Sequence, residues 1–107
     1  MVVAQDGLTQ VNGKRIVELA AMHRLPAMYS AGEYIDSGGL IVYGVNYPDL
    51  YSRAASYVDK ILRGAKPGDL PIEQPVKFDL RINRKAADAL GLAIPPALLL
   101  RADQVIE

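Results

Sequence analysis

The stretch KILRGAKPGDLPIEQPVKFDLRI, residues 60–82, decides how the chain is read. A helical pattern stops at Gly64. A polar run with three prolines follows, and an alternating strand pattern starts at Val76. An extended crossing of this length, residues 64–75, usually joins two bodies. Yet 107 residues fit a single small domain, so the chain is expected to be one unit with a hinge-like crossing at its centre.

The pattern on either side of the crossing sets the fold class. Upstream, Leu50, Ala54, Tyr57, Val58 and Ile61 share one helical stripe, with Arg53, Ser56, Lys60 and Arg63 facing away. Pro48 suits the first turn of this helix, and Gly64 suits the residue after its end. Downstream, Val76, Phe78, Leu80 and Ile82 alternate with Lys77, Asp79 and Arg81, the mark of a half-buried strand. Asn83 is placed to cap a short helix that Gly91 ends, and Pro95-Pro96 opens a last helix from about Ala97. Toward the N-terminus, Val2 to Gln5 reads as a strand ended by the turn pair Asp6-Gly7. Thr9 is expected to cap a helix running to about His23, with Ile16, Leu19, Ala20 and His23 on one face. Pro26 stops it. Ala27 to Tyr29 is a second strand, residues 31–36 a helical turn, and Leu40 to Tyr43 a third strand, apolar throughout and so buried on both faces. The order β-α-β-(turn)-β-α-β-α-α predicts an α/β fold with a mainly parallel sheet and flanking helices.

Composition narrows the function. Twelve Lys and Arg balance twelve Asp and Glu, so no basic patch marks a nucleic-acid partner. With no Cys and one His, thiolate sites, disulfides and histidine-rich metal sites are excluded. No apolar run is long enough to span a membrane. The opening MVVAQDGLTQ has no basic flank, long apolar core or cleavage site, so no export signal is expected in it. Walker and G-x-G-x-x-G spacings are absent, and Glu18, Glu33 and Asp36 have no metal-ligand spacing. His23 has no partner that would make it a catalytic base. Nothing assembles a nucleophile, a base and an oxyanion site, so neither an enzyme nor a cofactor is expected.

Three residues stand out as ligand-binding candidates. Asp6 directly follows the first strand, and in open α/β sheets ligands bind beyond the carboxyl ends of strands. A turn aspartate that bonds its own backbone is the competing reading. Tyr43 ends the third strand, where its ring is placed to stack on a planar ligand. Asn46 follows shortly after, able both to donate and accept, and equally suited to cap the next helix.

The order of residues in KRIVELAAMHRLPAMY, and above all in YVDKILRGAKPGDLPIEQPVKFDLRINRKAADALGLAIPP, closely resembles the C-terminal part of ABC transporter substrate-binding proteins of the tryptophan/tyrosine-binding type. The resemblance extends from about Val2 onward. It implies the type I periplasmic-binding fold, with two Rossmann-like lobes, three crossings and a ligand held in the cleft. It places the helix from Pro48 to Arg63 on the first lobe and the last strand and helices on the second, with AKPGDLPIEQP as the last crossing. It also carries Asp6 to the position that holds the ligand's polar group, and Tyr43 with Asn46 to a hinge segment facing the cleft. The implied partners are a small-molecule solute and an ABC permease, and the implied location of the full-length family is periplasmic or membrane-attached extracellular. A ligand-sensing module related to regulator effector lobes and a truncated product with a structural role are the alternatives. The chain carries only part of such a protein, so its apolar faces are expected to drive homo-oligomerisation, most simply a twofold dimer with residues 64–75 as the hinge of a domain swap.

Overall fold

The computed structural model describes residues 1–107. The elements in chain order are β1 (Val2–Val3), α1 (Gly7–Val11), α2 (Gly13–Met22), β2 (Met28–Tyr29), α3 (Glu33–Asp36), β3 (Ile41–Val45), α4 (Tyr47–Leu62), a 3-10 turn (Pro67–Asp69), β4 (Phe78–Asn83), α5 (Arg84–Leu90), α6 (Pro96–Arg101) and β5 (Gln104–Ile106). The strands lie in one sheet in the order β1-β2-β3-β4-β5, which confirms the α/β class. The chain divides into two compact units. The larger holds Met1–Gly44 and Asp79–Glu107, and the smaller Val45–Phe78. The chain therefore passes between them twice, and the proline-rich run lies wholly in the smaller unit.

In the larger unit, β1 pairs with β2, β2 with β3, and β4 with β5, all in parallel. The exception is the β3–β4 neighbour pair. Asn83 N–H donates to Leu40 O at 2.9 Å, and in the smaller unit Asn46 N–H donates to Lys77 O at 3.0 Å. The end of one strand lies beside the start of the other at both places, so β4 runs back antiparallel along β3. This register sets Val42 opposite Arg81.

The two faces of the sheet differ. Register joins Val3, Tyr29 and Val42 into one row, and these are 7%, 2% and 2% exposed. Val17, Ala20, Tyr34 and Ile35 from α2 and α3 pack over them. Tyr29 and Tyr34 stack with ring centroids 4.8 Å apart. The neighbouring row of Val2, Met28 and Ile41 faces the other way, since adjacent residues alternate. There Val2 is 74% and Met28 39% exposed. The expectation of a third strand buried on both faces is thus corrected: Val42 is buried and Tyr43 exposed. The cover of this second face is uneven: Val2 and Met28 are open, whereas Ile82 of β4, which the register sets opposite Ile41, is fully buried.

Local chemistry explains most element ends and several departures. The N-terminal helix is capped by Asp6, not Thr9. The Asp6 carboxylate accepts the Leu8 and Thr9 N–H groups, and Thr9 Oγ1 accepts from the Asp6 N–H in return. Thr9 is the reciprocal member of the same box. The expected single helix is broken at Asn12, which stands between α1 and α2. Asn46 Oδ1 accepts from Asp49 N–H to start α4, and Asn83 Oδ1 accepts from Ala86 N–H to start α5. Gly91 ends α5 at φ +71°, a conformation that costs a residue with a Cβ about 1 kcal/mol.

Two further expectations are corrected. α4 has the expected length, but no residue of it is buried. Its stripe is regular because periodicity records which face is apolar, and periodicity is blind to whether anything covers that face. Tyr57, on the apolar stripe, is only half-buried, and its hydroxyl donates to Pro71 O. β5 went unforeseen, because three residues after a helix carry too little alternation to read as a strand. Asp103 holds it in place, accepting Leu80 N–H at 2.7 Å while its own N–H donates to Leu80 O.

Candidate functional site

The carboxyl ends of β1, β2 and β3 form one edge of the larger unit, because the three strands are parallel and adjacent. Asp6 stands three residues past the end of β1. Its position is set by the capping box with Thr9, whose hydroxyl also lies 3.0 Å from Ala4 O. A carboxylate offers about four acceptor sites. Capping takes two N–H groups and leaves capacity for a ligand donor. Both readings of Asp6 are therefore compatible: it bonds its own backbone, and it is exposed at the edge where ligands bind in such sheets.

Tyr43 lies on β3, level with Ser30 after β2 and Ala4 after β1 by continuation of the strand register. It is exposed. Two strand spacings, about 10 Å, separate the β1 and β3 backbones, so Asp6 and Tyr43 belong to one edge. Asn46 belongs to the smaller unit, where its side chain caps α4 as described.

Reasoning from sequence passed over the loop after β2. Ser30 Oγ donates to Val3 O at 3.2 Å and ties the ends of β1 and β2 together. Gly44 lies against the same loop: a Cβ there would stand 2.0 Å from Ser30 O, so only glycine permits this approach. The loop continues through Ala31 to Gly32, over which the Arg81 side chain reaches from β4. The glycine after Tyr43 was the available signal, since a glycine inside a strand pattern marks close backbone approach.

In the smaller unit, Arg53 pairs with Asp49 at 3.1 Å and Glu73 at 3.4 Å, fastening the proline-rich run to α4. The Tyr57 phenol is raised above its usual range by desolvation first and by Glu73 second. A larger cavity of about 420 Å³ opens between α2 and α5 in the larger unit. Val17, Ala20, Leu25, Leu40 and Ala86 line it, with Asn83 and Lys85 as polar members. Its walls include none of the three candidate residues, and it lies toward the amino ends of β2 and β3. No group of three or more His, Asp or Glu side chains is placed to hold a metal ion. No helix is long and apolar enough to cross a membrane.

Comparison with known proteins now bears on this edge. The family model described as ABC transporter substrate binding protein matches residues 1–106. Among solved structures, a conserved domain protein from Vibrio cholerae is 30% identical, with a TM-score of 0.89 over 97% of this chain and 35% of its own. An ABC domain from Streptococcus pneumonia, solved in complex with L-Trp, is also 30% identical, with a TM-score of 0.83 over 94% of this chain and 35% of its own. A ligand-free, open substrate-binding protein with adhesive properties from Clostridium difficile shares the fold at 23% identity and a TM-score of 0.69, over 98% of this chain and 35% of its own. No curated protein matches the chain. The chain thus spans about a third of the length of these solved relatives. With the family model matched over almost every residue, the chain belongs to the ABC transporter substrate-binding proteins.

Proposed function

We propose that this chain is the C-terminal portion of the solute-binding component of an ABC importer, and that it helps to hold an amino acid or similar small solute without chemical change. The supporting observation is family membership over residues 1–106, together with a 30%-identical relative solved with L-Trp. Asp6 takes the solute's ammonium or hydroxyl, and Tyr43 offers a ring face to a planar side chain. In the smaller unit, Asn46 is a separate candidate donor and acceptor for a solute. In this reading the whole protein works outside the cytoplasmic membrane and delivers its solute to an ABC permease.

Calorimetric titration with a panel of amino acids tests the reading. An aromatic amino acid is expected to bind saturably, and aliphatic or acidic ones far more weakly. Heats indistinguishable from dilution for the whole panel would overturn it. Affinity is expected to be modest, because ligand sites bury most of their ligand's surface and the chain spans only about a third of its relatives.

A further inference from the structure

The row that joins Val3, Tyr29 and Val42 is buried on the helix-covered face of the sheet, and its fourth position is a charged residue. The antiparallel register of β4 sets Arg81 opposite Val42 on that face. Arginine in such a row is costly unless its charge is used. Its side chain is 32% exposed and donates one hydrogen bond, a long one of 3.4 Å from Nη2 to Asp79, itself 17% exposed. A guanidinium carries five N–H donors in a rigid fork, so one weak bond leaves most of them unused. The other terminal nitrogen reaches the loop after β2: a Cβ added to Gly32 would stand 3.2 Å from Nη1. Gly32 itself has ordinary helical φ and ψ. The absence of a side chain there makes room for the guanidinium.

These observations put an under-used cation beside Gly32, in the loop that follows β2 on the edge to which Asp6 belongs. We infer that Arg81 is the residue that reads the solute's carboxylate. This deepens the proposed function and rests on it. A zwitterionic amino acid presents an ammonium and a carboxylate only a few ångströms apart. Asp6 offers the negative partner and Arg81 the positive one, from strands on either side of the β2 loop. The inference narrows the solute class to molecules with a free carboxylate, and excludes amines, sugars and amino-acid amides as good ligands. A purely structural Arg81 would only neutralise Asp79, and would be indifferent to the solute's carboxyl group.

The test is the affinity of the whole chain for L-tryptophan against L-tryptophanamide, which differs only in lacking the carboxylate charge. The unmodified chain is expected to favour the acid by about tenfold or more, the effect of a hydrogen bond to a charged group. Arg81→Gln is expected to remove that preference, leaving the amide's affinity within about threefold of its starting value. Arg81→Lys is expected to restore part of the preference. Gly32→Ala serves as the second variant: it keeps Arg81 and the helical backbone but crowds Nη1, so the preference should fall while the melting temperature holds. An acid-over-amide ratio unchanged in Arg81→Gln and Gly32→Ala, with binding intact, would overturn the role of Arg81 and leave the proposed function standing. Failure of the unmodified chain to bind either compound would overturn both.

Discussion

Asp6 caps α1, so a ligand anchored there shares a carboxylate that already serves the backbone. The two roles separate by substitution. Asp6→Asn keeps a good capping side chain and removes the charge. Its melting temperature should stay near that of the parent, while solute affinity falls by about tenfold or more. Asp6→Ala should lose both, with about 1 kcal/mol of stability gone through the cap. Equal affinities for Asp6→Asn and the unmodified chain in calorimetry would remove Asp6 from the site. Arg24 is a second informative residue, since it follows the C-cap of α2, His23, in the left-handed region at φ 52°. Arg24→Gly should relieve about 1 kcal/mol and raise the melting temperature by a few degrees. Gly44→Ala should do the reverse, because its Cβ would collide with Ser30 O, at a cost of about 3 kcal/mol or more. The glycine itself is a local signal, standing inside β3. Its partner is not, because contact between separate strand ends leaves no local pattern.

Elements whose ends are set by their own side chains were legible. Asn83 and Gly91 bound α5 where the sequence places them, and Asn46 starts α4. Elements that depend on distant partners were not. β5 exists because β4 is beside it, and the break at Asn12 divides a run whose apolar spacing looks continuous. α4 carries the sharpest consequence. Val58 lies on its apolar stripe but is 55% exposed, so Val58→Asp should cost less than about 0.5 kcal/mol in this chain. A large loss of melting temperature would show that the stripe is covered in solution. Tyr57→Phe should lower the melting temperature slightly and speed hydrogen exchange in residues 67–75, because its hydroxyl holds Pro71 O. The Tyr57 phenol is raised in the folded chain, by desolvation and then Glu73. Its contribution is therefore complete below the ordinary phenol pKa and declines as alkaline titration passes it.

At the scale of the whole molecule, each unit shows apolar groups to solvent: Val2 and Met28 on β1 and β2 of one, Leu62 and Ile72 in the other. A parallel sheet is ordinarily covered on both faces, and exposed apolar patches promote association. We propose that copies of this chain associate, most simply as a twofold dimer, with residues 64–75 as the swap hinge. Light scattering across a dilution series should then show a mass that falls toward the monomer, and a constant monomer at micromolar concentration would refute it. The fold class was legible because hydrophobic period and turn residues are local. The exposure of Val2 and Met28 was not, because cover is a property of what packs above a residue. The central claim, that the edge formed by β1, β2 and β3 binds the solute, is tested most directly by amide NMR during titration with L-tryptophan. Resonances of Asp6 to Leu8, Ser30 to Gly32 and Tyr43 to Gly44 should shift together and saturate, while those around the cavity between α2 and α5 stay in place. Shifts confined to that cavity, or no shifts at all, would contradict the claim.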